Sequence, residues 1–280
     1  MACGVMQPTE RENDRTAEAM LDAMDVQQNL RASFRALAAH RVAGETREWP
    51  GLEIISLGVA FQMFNAAFLT APVSDEKEFA QLLARAAVHF QARGQAWSFW
   101  VCESWVAPKA RKRCWRLFEA AGMRLTSEMP GMAAEALARP SRPRPPLQYE
   151  AVRSERTRRA FCEAGSVCFR LPPVWFEEVF DQRLAKRGQF ECWVAYLDGD
   201  AVATAATVVS GDCLGLYNLA TAPAFRCRGF GEDALRFAVE RRLESHGARH
   251  LVLQSTAGAV RMYERVGYRA VTRFRVYVSC

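Results

Sequence analysis

A short loop rich in arginine and glycine most constrains how this chain can fold. Arg226 and Arg228 precede Gly229 and Gly231, between an apolar run typical of a strand and a run with helical periodicity. A loop of this composition offers backbone N–H groups and a helix N-terminus to an anion, most often a phosphate. The sequence therefore predicts a strand–loop–helix unit that holds a phosphorylated ligand.

Composition excludes several classes of protein. The 280-residue chain has a net charge of +6, and its arginines are spread out rather than gathered in a basic block, which disfavours nucleic acid binding. No apolar run approaches the ~20 residues that span a bilayer, and Met1 to Asp25 is polar, so we expect neither a membrane protein nor a signal peptide. The nine cysteines are scattered without a C-x-x-C pair, which indicates neither a disulfide framework nor a zinc site and favours a cytoplasmic protein.

A proline-rich stretch divides the sequence into two parts. Residues 138–147 contain four of the twelve prolines, a density that disfavours helix and sheet and is typical of an extended spacer. We therefore predict an N-terminal domain at 1–137, a linker at 138–148 and a C-terminal domain at 149–280.

The periodicity of apolar residues predicts helices and strands in both parts. The predicted helices are near 15–42, 75–93 (with Ser74 as its N-cap), 109–121, 154–166, 173–187, 232–246 and 257–265. The predicted strands are near 52–59, 66–69, 96–102, 123–133, 191–197, 201–209, 214–222, 250–254 and 271–278. Asp198-Gly199-Asp200 and Gly211-Asp212 are typical hairpin turns, so the three strands before the glycine loop are antiparallel. Together these elements predict an α/β fold with a mixed sheet.

The segment Gly229-x-Gly231-x-x-Ala234 also fits a relaxed dinucleotide-binding fingerprint. In a Rossmann fold, however, the glycine loop follows the first strand, and an Asp or Glu about twenty residues later binds a ribose. Here the loop follows a series of hairpins, and the next strand ends in Gln254-Ser255 without a carboxylate. The Rossmann interpretation is therefore disfavoured, while the loop taken alone also allows an ordinary glycine turn between strand and helix.

Two motifs in order resemble those of the GCN5-related N-acetyltransferase (GNAT) family. Arg226-x-x-Gly229-x-Gly231 resembles the acyl-CoA signature of the family. The segment Met262-Tyr263-Glu264-Arg265-Val266-Gly267-Tyr268 is similar to its Leu-Tyr-x-x-x-Gly-Phe segment, at a matching distance downstream. The resemblance covers about residues 149–280. It implies an acyl-CoA N-acyltransferase (GNAT) fold, acetyl-CoA as co-substrate and no metal.

The first part of the chain shows a weaker resemblance to the second. Residues 97–132 have the strand and helix spacing of the C-terminal segment, with Phe118 at the place of the tyrosine and no Arg-x-x-Gly-x-Gly motif. We therefore expect two tandem GNAT-like domains, of which the N-terminal one is degenerate and lacks cofactor chemistry.

The resemblance also implies roles for individual residues around the donor. Arg226 and Arg228 would add positive charge, and the coenzyme A pyrophosphate would be held by the backbone N–H groups of Cys227, Arg228, Gly229, Phe230, Gly231 and Glu232. A backbone N–H at the end of the preceding strand (Leu219, Ala220, Thr221) would polarise the thioester carbonyl. Tyr263 would protonate the departing thiolate, since a phenol with a pKa near 10 stays protonated at neutral pH. Ser255 occupies a place where the family often has an asparagine that touches the cofactor.

The acceptor site is less defined. The strand before the loop carries no acid that could serve as general base, and Tyr217 and Asn218 on it are candidates to line an acceptor pocket. Phe64 and Asn65 are candidates from the N-terminal part, because the Phe61–Asn65 segment combines apolar side chains with an amide; a core role for Phe64 stays equally open. We expect a small-molecule or peptide amine as acceptor, and a monomer or homodimer.

The sequence thus predicts an N-acetyltransferase that moves an acetyl or other acyl group from its coenzyme A thioester to an amine. The alternative is a non-catalytic acyl-CoA-binding or interaction protein, in which the same loop holds the ligand but no acceptor is modified.

Overall fold

The computed structural model describes residues 10–181, 183–184 and 189–279. Its helices are α1 (Glu10–Ala38), α2 (Glu76–Gln91), α3 (Pro108–Ala120), α4 (Glu155–Phe169), α5 (Pro173–Val179), α6 (Phe230–Ser245) and α7 (Val260–Arg265). Its strands are β1 (Glu45–Trp49), β2 (Leu52–Ser56), β3 (Asn65–Leu69), β4 (Ser98–Cys102), β5 (Met123–Ala134), β6 (Gln148–Ala151), β7 (Phe190–Leu197), β8 (Asp200–Ser210), β9 (Cys213–Thr221), β10 (His250–Gln254) and β11 (Arg269–Ser279).

One 11-stranded sheet runs through the described residues, in the order β1-β2-β3-β4-β11-β5-β10-β9-β8-β7-β6. Strands β7, β8 and β9 are antiparallel, and their turns have the positive φ angles expected at Asp198, Gly199 and Gly211. Strand β9 then pairs in parallel with β10, and β3 pairs in parallel with β4. The predicted mixed α/β fold is confirmed.

The two parts of the chain exchange their last strands in the middle of this sheet. Strand β5, from the first part, pairs with β10 of the second part, while β11, from the second part, pairs with β4 of the first. The two exchanged strands also pair with each other, antiparallel. An uncovered edge strand is a template for unwanted pairing. Each part therefore relies on the other to cover the edge of its own sheet.

Helix α1 ties the same two parts together on one face of the sheet. It contacts β2 of the first part and β8, β9 and β10 of the second. Phe34 of α1 packs edge-on against Phe68 and Trp100, with ring centroids 5.0 and 5.4 Å apart. Arg31 of α1 also pairs at 2.5 Å with Glu53, which is completely buried in β2. Because an unpaired buried carboxylate is costly, this pair fixes the position of the helix on the sheet.

Several predicted boundaries differ from the structure. The N-cap of α2 is Asp75, whose carboxylate accepts the Glu78 backbone N–H at 2.9 Å, so the prediction of Ser74 was wrong. Helix α5 ends at Val179 rather than at 187, and residues 182 and 185–187 of that prediction lie outside the described ones. The unpredicted β1 is a largely exposed edge strand, whose sequence Glu-Thr-Arg-Glu-Trp has no apolar face that periodicity could detect.

The proline-rich segment has neither helix nor strand until β6 begins at Gln148, but it is held against the protein. Arg144 pairs with Asp233 at 2.5 Å, and Arg142 approaches Glu232 at 3.4 Å, both in the first turn of α6. The segment therefore packs beside the helix that follows the glycine loop. The domain boundaries at 137 and 149 stay predictions. Among the described helices, none has the length and apolar character needed to cross a membrane.

Because β5 and β11 are exchanged, we expect a fragment of residues 149–280 not to form a stable fold by itself. Strand β10 would lose its partner β5, and β11 would lose both of its neighbours. Thermal unfolding followed by circular dichroism should show no cooperative transition for this fragment, whereas co-expression with residues 1–148 should give a folded 1:1 complex. A cooperative transition of the isolated fragment at the melting temperature of the intact chain would contradict this expectation.

Candidate active site

The parallel pairing of β9 with β10 stops halfway along β9. The register runs from Cys213 opposite His250 to Leu216 opposite Leu253, whereas β8 continues to pair with β9 as far as Thr221. The two parallel strands therefore separate after Leu216 and leave a gap beside the end of β9. Backbone groups that face such a gap have no partner in β10 and are available to a ligand.

A β-bulge lies where the strands separate. Asn218 has a φ of +46°, and the register with β8 shifts so that Asn218 and Leu219 together oppose Ala205. The Thr204 hydroxyl donates to the Asn218 carbonyl at 3.0 Å and holds the bulge in place. A bulge bends the strand and re-aims its side chains. Here it brings Asn218 and Leu219 to a cavity described below, while the next residue, Ala220, is buried.

The glycine loop follows the end of β9 directly. Cys227 and Gly229 have left-handed φ angles of +62° and +88°, and Gly229 is the N-cap of α6. Gly231 approaches β9 so closely that a Cβ atom there would lie 2.7 Å from the Thr221 Oγ1. No side chain of the described residues caps this end of α6. The first N–H groups of the helix are therefore left for a ligand.

Three arginines surround this loop. Arg226 is exposed and donates to the Thr221 carbonyl at 3.2 Å. The exposed Arg228 lies over the ring of the buried Phe230, 4.9 Å from its centroid. Arg142 comes from the proline-rich segment, and its guanidinium carbon lies 3.2 Å from the position that a Cβ atom on Gly229 would occupy. Together with the positive end of the helix dipole, these guanidinium groups favour an anionic ligand.

Two acidic residues in the first turn of α6 would oppose an anion, but both are buried and paired. Glu232 accepts from Arg236 at 3.0 Å, and Asp233 accepts from Arg144 at 2.5 Å. Their negative charge is therefore largely balanced. Sequence reasoning missed Arg142 and Arg144, because the segment was interpreted as a spacer; the repeated Arg-Pro pattern is the signal that could have found them.

An apolar cavity of about 280 Å³ adjoins the gap at the junction of the two parts of the chain. From the second part, Tyr217, Asn218, Leu219 and Tyr263 line it. From the first part, it is lined mainly by apolar side chains, among them the aromatic Phe34, Phe61, Phe64 and Trp100. The structure thus brings together five of the predicted site residues, including Phe64, which lies on the cavity wall rather than in the closed core.

Tyr263 lies on α7 and is only 7% exposed. Burial raises the pKa of its phenol above the usual value of about 10, and no hydrogen bond from a described residue contributes to that shift. Its ring packs edge-on against Tyr268, with centroids 5.9 Å apart. The cavity wall therefore carries a phenol that stays protonated at neutral pH and has a hydroxyl free to donate.

Tyr217 is fixed from the other part of the chain. Its hydroxyl donates to the Asn29 Oδ1 at 2.7 Å, and the fully buried Asn29 amide donates in turn to the Ser210 hydroxyl at 2.9 Å and the Val208 carbonyl at 3.2 Å. Gly215 makes room for this contact, since a Cβ atom there would come 1.8 Å from Asn29 Oδ1. Helix α1 therefore positions one wall of the cavity.

Two predicted site residues do not reach the cavity. Asn65 is completely buried, and its amide donates to the Val59 and Ala96 carbonyls at 2.8 and 3.0 Å. Ser255 is equally buried, and its hydroxyl donates to the Thr256 carbonyl at 2.8 Å. The geometry supports neither the expected acceptor role of Asn65 nor the expected cofactor role of Ser255.

No carboxylate or imidazole is found among the described residues that line the cavity. The described residues also contain no cluster of His, Cys, Asp and Glu that could hold a metal ion. The chemistry available at the described part of the site therefore comes from Tyr263, backbone N–H groups and polar side chains such as Asn218.

Known proteins resemble this chain in sequence or in fold. Residues 154–268 match the Acetyltransferase (GNAT) family. Among solved structures, a GCN5-related N-acetyltransferase from Kribbella flavida has 20% identity and a TM-score of 0.69, over 91% of this chain and 95% of that one. Another from Sphaerobacter thermophilus has 16% identity and a TM-score of 0.54, over 93% of each chain.

A tandem GNAT protein from the clavulanic acid biosynthesis pathway has 10% identity and a TM-score of 0.55, over 94% of this chain and 95% of that one. At these identities the likeness concerns the fold, and it confirms the predicted GNAT fold over most of the chain. No curated protein sequence matches the chain at a significant level.

Removing the Asn29 amide should destabilise the junction between α1 and β9. The substitution Asn29→Ala leaves the buried Tyr217 hydroxyl and the Val208 carbonyl without their partner, so we expect the free energy of unfolding to fall by about 1–3 kcal/mol. Denaturant unfolding followed by tryptophan fluorescence measures the change. Gln28→Ala, at an exposed position on the same helix, should change the stability by less than about 0.5 kcal/mol. Equal effects of the two substitutions would refute the proposed contact.

Proposed function

Residues 154–268 of this chain belong to the GNAT acetyltransferase family, and from this premise we propose that the protein transfers an acyl group, most simply acetyl, from its coenzyme A thioester to an amine. One observation carries the proposal. The glycine loop, the gap between β9 and β10, and the cavity that contains Tyr263 follow one another along a single path.

The loop fits the phosphates of coenzyme A. The backbone N–H groups of Cys227–Glu232 would hold the pyrophosphate, because Gly229 permits the left-handed turn and Gly231 permits close approach of the backbone. Arg142, Arg226 and Arg228 would supply positive charge to the phosphates. The pantetheine arm would then lie in the gap beside the end of β9, where backbone groups lack partners in β10.

The transfer itself needs polarisation of a carbonyl and a proton for sulfur. The lone pair of the amine nitrogen attacks the thioester carbon, so that a C–N bond forms and the C–S bond breaks. A backbone N–H within Leu219–Thr221 would stabilise negative charge on the carbonyl oxygen. Tyr263 would give its proton to the departing sulfur, and the proton lost from the amine nitrogen would return to the phenolate through solvent.

Burial keeps the Tyr263 hydroxyl in the protonated form that this role requires. Because burial disfavours the phenolate, the hydroxyl keeps its proton until the sulfur becomes negatively charged. The opposite role, as general base in the resting state, would require a lowered pKa.

A non-catalytic acyl-CoA-binding protein is the second candidate function. The observation that favours it is the lack of a carboxylate or imidazole among the described residues of the cavity wall, which leaves no conventional general base there. This candidate retains the whole donor site and differs only in having no acceptor. A Tyr263 variant that loses turnover but still binds coenzyme A would favour the enzyme over the binding protein.

Replacing the Tyr263 hydroxyl should slow acyl transfer without weakening donor binding. We expect Tyr263→Phe to lower kcat by about 10²-fold, the lower end of what a general acid contributes, and to leave the affinity for coenzyme A unchanged. Free-thiol release with a saturating amine gives kcat, and calorimetry gives the affinity.

Tyr268→Phe is a matched control. Its buried hydroxyl has no hydrogen-bond partner among the described residues, so its removal should leave kcat and affinity near those of the original protein. A similar loss of kcat in both variants would show that the effect is not specific to the Tyr263 hydroxyl and would contradict its role as proton donor.

Adding a side chain to the glycine loop should weaken donor binding. Gly229→Ala forces an L-residue into a left-handed conformation, at a cost of about 1–2 kcal/mol, and brings a Cβ atom to 3.2 Å from the Arg142 guanidinium. Relief of this strain displaces the backbone N–H groups of the loop, so we expect coenzyme A to bind about tenfold more weakly in calorimetry. Gly247→Ala, just beyond α6 in open space, should bind coenzyme A normally. Unchanged affinity in both variants would exclude the loop as the phosphate site.

A further inference from the structure

We infer that the acyl acceptor is a small hydrophobic monoamine, with an aromatic or aliphatic skeleton and no second charged group, bound in the cavity between the two parts of the chain. This inference rests on the acyl transfer proposed above and specifies its acceptor.

The described surface of the cavity is mainly apolar, and many of its aromatic rings contact one another. Phe34 packs edge-on against Trp100 and lies 5.6 Å from the ring of Phe64. Phe61 stacks on Trp175 of α5, with centroids 4.5 Å apart, so the two parts of the chain hold this wall together. Such a surface gains most by covering an apolar skeleton.

None of the described residues that line the cavity carries a charge at neutral pH. Its polar atoms come from uncharged side chains such as Ser33, Asn218, Gln254 and Thr256. A polyamine or an aminoglycoside would bring further ammonium groups without carboxylates to pair them. An amino acid would bring a carboxylate without a cation. Burying an unpaired charge is strongly unfavourable, so the cavity selects against both classes.

The same lack of charge provides a route to the reactive amine. An ammonium ion that leaves water for an apolar site loses its hydration, which lowers its pKa and favours the neutral base. Aromatic faces attract cations, but an exposed or partly desolvated contact of this kind is weaker than the cost of desolvating an ammonium group. The acceptor would therefore react as the neutral amine, and no carboxylate is needed to deprotonate it.

The size of the cavity favours a small molecule over a peptide. Its volume of about 280 Å³ lies just below the range of about 300–1,000 Å³ that is typical of pockets for drug-sized ligands. An amine with a single ring or a short alkyl chain fits this volume better than an extended peptide.

Matched pairs of amines test the inference with the intact protein and acetyl-CoA. Phenethylamine is compared with phenylalanine, which adds only a carboxylate, and hexylamine with hexamethylenediamine, which adds only a second amine. We expect kcat/KM to be at least about tenfold higher for phenethylamine and hexylamine than for their charged counterparts, the ratio that 1.4 kcal/mol of discrimination gives. A preference for phenylalanine or for the diamine would overturn the inference.

Binding to the protein without donor gives a readout that is independent of turnover. Phenethylamine should bind in calorimetry, more tightly as the pH rises toward the pKa of the free amine, whereas phenylalanine should not bind. Absence of phenethylamine binding at every pH, in a protein that binds coenzyme A, would overturn the inference and leave the donor site intact.

A substitution that adds charge should change the preference. Phe64→Glu places a carboxylate on the half-buried cavity wall and should shift the preference toward hexamethylenediamine, while Val42→Glu, at a position that is 94% exposed, should not. If Phe64→Glu fails to fold, the amine pairs above still decide the question. If the protein neither binds coenzyme A nor acetylates any of these amines, the proposed function fails, and this inference fails with it.

Discussion

The mutual exchange of β5 and β11 is the constraint on which the rest of the structure depends. Because β5 covers β10 and β11 covers β4, the two parts of the chain share one continuous sheet. Because the sheet is continuous, it holds β4 of the first part and β9 of the second together, and α1 packs across both parts. The cavity exists only in this arrangement, since Phe34 and Trp100 come from one part and Tyr217 and Tyr263 from the other.

Within that sheet, two local irregularities make the site. The parallel pairing of β9 with β10 ends at Leu216, and the bulge at Asn218 turns the strand just beyond that point. A regular ladder would have satisfied these backbone groups and filled the gap. The polar Asn29 contact shows how closely the junction is fitted, because Gly215 leaves only enough space for that amide. The bulge at Asn218 therefore lies next to the tightly packed Asn29 contact, and that packing supports the irregular backbone.

The conformation of the glycine loop could be predicted from the sequence, since the loop lies within one contiguous segment. Arg226, Gly229 and Gly231 have local conformational roles that a glycine pattern indicates directly. The strand exchange could not be predicted, because antiparallel pairing between residues 123–134 and 269–279 leaves no signal in a single sequence. Asn65 was assigned a role because its amide stands among apolar residues, and Ser255 because of its place in the family resemblance. Burial among local hydrogen bonds is not visible at that level.

The wall of the proposed acceptor cavity could not be predicted from the sequence, and the reason is physical. Its wall is built from residues of β9 and α7 together with residues of the first half of the chain, which meet only after the two parts have joined. Each aromatic residue, taken alone, is indistinguishable from a core residue in the sequence, because the same periodicity places it on an inward face. The cavity is distinguished by the lack of charged side chains on its described surface. This lack can be recognised only when the structure shows which residues line the cavity. The proposed donor is therefore indicated by local sequence, whereas the proposed selection of the acceptor depends on the assembled junction.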